Sequence, residues 1–187
     1  MNPKIIYIGG IKGVGKTTLI NSMKPEFSDY EIVDVTIQMR EYTDLHNRDQ
    51  LDEITVVDRF KAREYAFPKA LQDRKQNKLI FDSHFSIPSI YGHEWGFPLS
   101  FISDVKVLIL ITSIPDLILK RRKQDVSRNR GRVSLSEVEL DMKIESLYAQ
   151  FISRMIDKPL YIIENNNIED AKDMFLKTIS KIKSMNK

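Results

Sequence analysis

The ten residues Gly9-Gly10-Ile11-Lys12-Gly13-Val14-Gly15-Lys16-Thr17-Thr18 carry the most specific chemistry in the chain. Gly10, Gly15, Lys16 and Thr17 satisfy the spacing G-x-x-x-x-G-K-S/T. Such a loop needs glycines because its backbone N–H groups turn inward and approach phosphate oxygens closely, where a Cβ would obstruct. A helix opening near Lys16 aims its positive end at the same anion. Lys16 then reaches the β- and γ-phosphates as a point charge, and the Thr17 hydroxyl helps hold Mg²⁺. Gly10 to Thr18 therefore reads as a nucleoside triphosphate site, with Ile11, Lys12, Gly13, Val14 and Thr18 contributing backbone to it. The motif does not say where the phosphate goes.

Other residues extend the site. Asp82 ends an apolar run, Leu79-Ile80-Phe81, and a carboxylate at the carboxyl end of a buried parallel strand stands where an α/β sheet opens its ligand crevice. Beside a phosphate loop it reads as a metal-water ligand or base-positioning group, so Thr17 and Asp82 form the candidate metal pair. The plainer reading is a turn cap. His84, His93 and Trp95 lie in a stretch from Ser83 to Pro98 that shows no period and is punctuated by Pro88, Gly92, Gly96 and Pro98. This reads as a loop of the length that usually serves function. A histidine alone is more often structural, and Trp95 reads as a packing anchor ahead of a base-stacking platform.

Between Arg121 and Arg132 stand Arg121, Arg122, Arg128, Arg130 and Arg132, with Lys123, against one acid, Asp125. Phosphoryl transfer relies on positioning and on cations that neutralise charge on the migrating group. Guanidinium forks suit this because they bind phosphate bidentately and stay protonated. Gly131 would let the segment flex as a short lid, about 123–133, that excludes water. A solvated basic face and an RNA-contacting patch are the alternatives. A second basic group, Arg40, Arg48, Arg59 and Arg63, falls on helical stretches expected across the crevice, with Arg40 the favoured ligand of an acceptor phosphate. The expected catalytic set is Lys16, Arg122, Arg128 and Arg130. The expected acceptor set is Thr36, Arg40, Arg59 and His84.

The elements that must place these groups follow from pattern. Lys4 to Ile8, Glu31 to Val35, Lys78 to Asp82, Val105 to Thr112 and Leu160 to Ile163 are short apolar or β-branched runs, read as five strands. Between them lie a helix after the phosphate loop, one from Ile37 to Leu45 that Thr36 can cap, and one from about Asp49 to Gln76 that Pro68 should kink. Pro115 starts a helix at its first turn. Ser134 with Glu137 forms a capping box for a long helix whose stripe of Leu140, Ile144, Leu147, Phe151 and Met155 reads as core. Ile168 to Ile182 closes the chain as an amphipathic helix. Strands alternating with helices specify an α/β fold, a doubly wound, mostly parallel five-stranded sheet with helices on both faces, of the P-loop NTPase or nucleotide kinase type.

The 187 residues suit a single domain, 1–187. The hydrophobic share of 42% and charged share of 29% are those of an ordinary globular protein. A net charge of +3 is too small to draw nucleic acid by bulk charge. There are no cysteines, so disulfides and thiolate metal sites are excluded, and a reducing cytoplasm is compatible. No apolar run approaches the roughly 18 residues of a membrane span, and the first residues read as strand rather than signal peptide.

Gly10 to Thr18, Phe81-Asp82-Ser83-His84, the Gly92, Gly96 and Pro98 loop, and Arg121-Arg122 followed by Arg128-Asn129-Arg130 together resemble the archaeal-type adenylate kinases. The resemblance runs from Arg48-Asp49-Gln50 to Ile162-Ile163 and the Asn run after it. It implies transfer of the γ-phosphate of ATP to AMP with Mg²⁺, giving two ADP, and a homo-oligomer, since the family forms trimers. Two positions depart from the family: Ser146 stands where it usually has a basic residue, and Asp157-Lys158-Pro159 replaces a Thr-Gly-Ala turn. From the residues alone, a kinase for another small acceptor and a nucleotide-dependent switch ATPase remain alternatives. Against the switch, no glycine follows Asp82 to sense a γ-phosphate, and no Asn-Lys-x-Asp motif reads guanine.

Overall fold

Strand β1, Lys4–Gly9, is buried along nearly its whole length, and such a strand needs cover on both faces. It lies at the centre of one parallel sheet whose strand order is β2-β3-β1-β6-β7, with β2 at Glu31–Asp34, β3 at Lys78–Asp82, β6 at Val105–Thr112 and β7 at Leu160–Glu164. This computed structural model describes residues 4–46, 49–89, 92–98, 104–125 and 133–184.

Alternate strand residues feed two cores. On one face Tyr7, Val33, Phe81, Leu108 and Leu110 pack with α2, Thr36–Thr43, α3, Val56–Gln72, and the carboxyl half of α5, Leu135–Ile156. On the other, Ile6, Ile8, Ile80, Ile109 and Ile163 pack with α1, Lys16–Ser22, α4, Pro115–Gln124, and α6, Ile168–Ser184. Helices thus cover both faces, as the pattern required. Among the described residues no helix is long and apolar enough to cross a membrane.

Four expectations are corrected. The stretch after Asp82 is not a patternless loop: Ser86–Ser89 (β4) and Gly92–Trp95 (β5) form an antiparallel hairpin. The helical stretch from Asp49 to Gln76 breaks into a 3₁₀ turn, Asp49–Asp52, and α3. Thr55 caps α3, its hydroxyl accepting from the Asp58 N–H at 3.1 Å. Pro68 sits inside α3 without ending it; Glu64, whose carbonyl loses its partner there, lies on the half-exposed side where water can serve it. Thr36 is the first residue of α2 rather than its cap, and the Asp34 carboxylate accepts from its N–H at 3.0 Å.

The fourth correction concerns α5. Its capping box is as expected, Ser134 accepting from the Glu137 N–H while Glu137 accepts from the Ser134 N–H. Its buried face, however, is Val138, Asp141, Glu145, Ala149, Ile152 and Ile156. Leu140, Leu147, Phe151 and Met155 from the expected core stripe are 51%, 55%, 57% and 42% exposed. On that face Val138, Ala149, Ile152 and Ile156 supply the apolar contact, and Asp141 and Glu145 find polar partners inside.

Candidate active site

Strand β1 ends at the sheet's carboxyl edge, and the chain turns there through Gly10, Gly13 and Gly15, whose φ values of +147°, +86° and +91° favour glycine. Gly15 leads directly into α1. Ile11 and Val14 are buried at 5% and 1% exposure and anchor the loop to the second core. A cavity of about 550 Å³ opens beside the loop, lined by Lys12, Gly13, Gly15, Lys16, Thr17, Thr18, Asp82, His84, Arg121 and Asn165, among others.

The loop's carbonyls are drawn away by side chains from distant elements. Arg122 Nε donates to the Lys12 carbonyl at 2.7 Å. The Val14 carbonyl accepts from Arg121 NH1 at 3.0 Å and Asn165 Nδ2 at 2.9 Å. Because a trans peptide is planar, holding a carbonyl on one side turns the next N–H to the other. Gly13 and Gly15 are so disposed to offer N–H donors to an anion.

Lys16 is 7% exposed, and its Nζ donates to the Gly10 carbonyl at 2.6 Å. His84 Nδ1 lies 2.7 Å from the same oxygen. The Thr17 hydroxyl donates to Asp82 Oδ2 at 2.6 Å. Parallel pairing places Ile8 and Asp34 beside Asp82, so the ends of β1, β2 and β3 meet at this edge. Thr17 and Asp82 offer hard oxygen donors side by side, and among the described residues no cluster of three or more His, Asp or Glu could hold a metal alone. That set fits Mg²⁺, which takes one or two protein oxygens and completes its octahedron with phosphate and water.

The other expected residues separate. Arg121 lines the cavity, whereas Arg122 is 9% exposed behind the loop, its NH1 and NH2 both 3.1 Å from Asp141 Oδ2. Arg128 and Arg130, and with them most of the expected lid, lie outside the described residues, as does Arg48. Thr36, Arg40 and Arg59 are not among the residues lining the cavity. Arg40 NH1 donates to the His46 carbonyl at 3.1 Å. Arg59 is 4% exposed and donates to the Leu51 and Ile54 carbonyls and, at 2.8 Å, to Glu94 Oε1. Arg63 donates to the Trp95 carbonyl. Burial lowers the affinity of its guanidinium for its proton. Trp95 packs on Tyr148 and Phe151, as an anchor would.

Sequence reasoning did not weigh Asn165 or Glu145. Asn165 follows β7 at the sheet's carboxyl edge, and that position is the signal that could have found it. Glu145 is 1% exposed and accepts from the Phe85 N–H at 2.9 Å, the Ser86 N–H at 2.5 Å and the Ser86 hydroxyl at 2.7 Å. Burial pushes its carboxyl above the usual range, opposed by these bonds and by the charge on Lys16.

Residues 9–141 match the family described as AAA domain. An adenylate kinase of Pyrobaculum aerophilum is 30% identical over 150 residues, spanning 77% of this chain and 76% of its own. An adenylate kinase of Methanocaldococcus jannaschii is 25% identical over 177 residues, 89% of this chain and 92% of its own. Among solved structures, a shikimate kinase from Bacteroides thetaiotaomicron superposes with a TM-score of 0.63 at 14% identity, over 94% of this chain and 98% of that one. A shikimate kinase from Acinetobacter baumannii in complex with shikimate does so at 0.63 and 18%, over 97% and 93%. At such identities these two structures speak for the fold.

Proposed function

The chain belongs to the archaeal-type adenylate kinases, nucleoside monophosphate kinases of the P-loop class, and on that premise we propose that it transfers the γ-phosphate of ATP to AMP, giving two ADP. The observation that carries the proposal is the meeting of Lys16, Thr17 and Asp82 on one cavity with the glycine loop. Lys16 exchanges its Gly10 carbonyl for a β- or γ-phosphate oxygen. Arg121 adds a cation from the facing wall. An oxygen of the AMP phosphate attacks the γ-phosphorus in line, and the bond from that phosphorus to the β–γ bridging oxygen breaks. The attacking oxygen is already anionic, so no general base is required, and positioning with charge neutralisation supplies most of the acceleration. Mg²⁺, held from Thr17 and Asp82, would offset charge on the β- and γ-phosphates.

Arg40 is the acceptor cation in this proposal, because its NH1 is held by a loop carbonyl, that of His46, which a phosphate can replace. His84 lies against the donor loop and faces the acceptor's approach. Arg59, committed to two carbonyls and Glu94, braces α3 against the hairpin, and Thr36 stands at the amino end of α2. Arg128 and Arg130 keep the lid role that the family resemblance gives them, while Arg122, expected in the catalytic set, is committed to the Lys12 carbonyl and Asp141 and serves the donor loop from behind. A single domain, a cytoplasmic location and assembly into trimers complete the proposal; light scattering against the mass of one chain tests the last.

The deciding experiment incubates the protein with Mg²⁺-ATP alone and then with AMP, other nucleoside monophosphates and small alcohols. ADP formed only with AMP supports the reading. Phosphate released without acceptor, or transfer only to another acceptor, overturns it. Lys16→Ala should lower turnover at least about a thousandfold with the melting temperature preserved. Near-normal turnover in that variant would remove the loop from the mechanism.

A further inference from the structure

The donor loop is tied to the hairpin through one carboxylate. Asp141, 8% exposed on α5, receives both terminal nitrogens of Arg122 on Oδ2, while its other oxygen, Oδ1, lies 3.0 Å from His93 Nε2 on β5. Arg122 in turn holds the Lys12 carbonyl. Four elements therefore converge: β5, α5, α4 and the phosphate loop. The fit is close, since a Cβ at Gly13 would come within 2.7 Å of Arg122 Cγ.

We propose that Asp141 is a positioning residue for the donor site, and that His93, which has no place among the cavity-lining residues, tunes nucleotide binding through it. An arginine has many rotamers, and here Arg122 holds one that places Nε on the Lys12 carbonyl. The Asp141 carboxylate selects that rotamer with two charge-assisted bonds. The Lys12–Gly13 peptide plane is thereby fixed with its N–H toward the cavity, so the loop need not reorganise when phosphate arrives. His93 occupies the second oxygen and fixes the orientation of the carboxylate, as an outer partner orients a ligand-holding side chain. The same network keeps Arg122 out of the cavity and leaves Arg121 as the arginine that faces it.

The inference rests on the donor-site reading, so its test measures binding rather than turnover. Calorimetry with a non-hydrolysable ATP analogue is run on wild type, Asp141→Asn, His93→Phe, His93→Gln and the double variant Asp141→Asn/His93→Phe. Asn keeps an oxygen for Arg122 but loses the charge that strengthens those bonds, and it turns an amide donor toward His93, which meets it only in the other ring tautomer. Asp141→Asn is expected to weaken binding about tenfold and His93→Phe a few-fold, with His93→Gln, which keeps a donor, near wild type. The double variant should match Asp141→Asn, because both changes act through one network. Equal binding by wild type, Asp141→Asn and His93→Phe, or additive losses in the double variant, overturns the proposal. Absence of binding by wild type overturns the donor site and this inference with it. If Asp141→Asn does not fold, the contrast of His93→Phe with His93→Gln decides alone: equal affinity in the two overturns the coupling.

Discussion

Glu145 holds three donors from the start of the hairpin while buried beneath the phosphate loop, and a carboxylate so placed has a sign that can be read in solution. Its proton is held more tightly in the fold than in the unfolded chain, with burial the main cause. Its contribution to stability is therefore complete below an unfolded value of about 4.3 and is lost as pH rises through the raised folded value. Glu145→Gln removes the titration and sets an amide donor against the backbone N–H groups, a loss of about 1–3 kcal/mol. The stability gap between wild type and Glu145→Gln, measured by urea melts at pH 4 and pH 7, should narrow at the higher pH; a gap that widens would refute the burial account. At this scale the sequence was legible where chemistry is local. Gly10, Lys16 and Thr17 identify themselves by spacing. Asp141 and Glu145 do not, because their partners Arg122, His93 and Ser86 lie 19, 48 and 59 residues away. Arg121 and Arg122 could not be told apart as neighbours in a run, since only the packing of α4 decides which one faces the cavity.

Among elements, α5 shows both what pattern can reveal and what it cannot. Its start was legible, because a capping box is a matter of four residues. Ser134→Ala should lower the melting temperature by roughly 2–4 °C, followed by circular dichroism, through one lost N-terminal bond. Its inward face was not legible. Apolar periodicity selected Leu140, Leu147 and Phe151, yet the face that packs inward is a second period, Val138, Ala149, Ile152 and Ile156, interrupted by Asp141 and Glu145, whose polar side chains disguise it in the sequence. The hairpin escaped for another reason: each strand has four residues, one of them Pro88, and two such strands have no amphipathic pattern of their own. Thr55 gave a sufficient N-cap signal, with Asp58 three residues on, but the apolar residues either side suggested one continuous helix.

Across the whole molecule, the three inner strands were readable because a strand covered on both faces is apolar nearly throughout, and the two outer ones, Glu31–Asp34 and Leu160–Glu164, by their short β-branched or apolar runs between helices. The two cores make different demands. Phe175 on α6 is fully buried and meets Phe27 edge-on at 5.5 Å, so Phe175→Ala should cost about 3–5 kcal/mol in urea unfolding. That is a large share of the roughly 5–15 kcal/mol by which domains of this kind are stable. A loss below about 1 kcal/mol would mean the second core is looser than its packing indicates. The outward stripe of α5 bears on handling as well as on architecture, as does Ile162 on β7 at 51% exposure. A fluorophore that brightens on greasy surfaces should glow with the native protein already in the cuvette. Its emission per molecule should dim on concentration if copies shield one another there, so dye-based thermograms would begin from a high and dilution-dependent baseline.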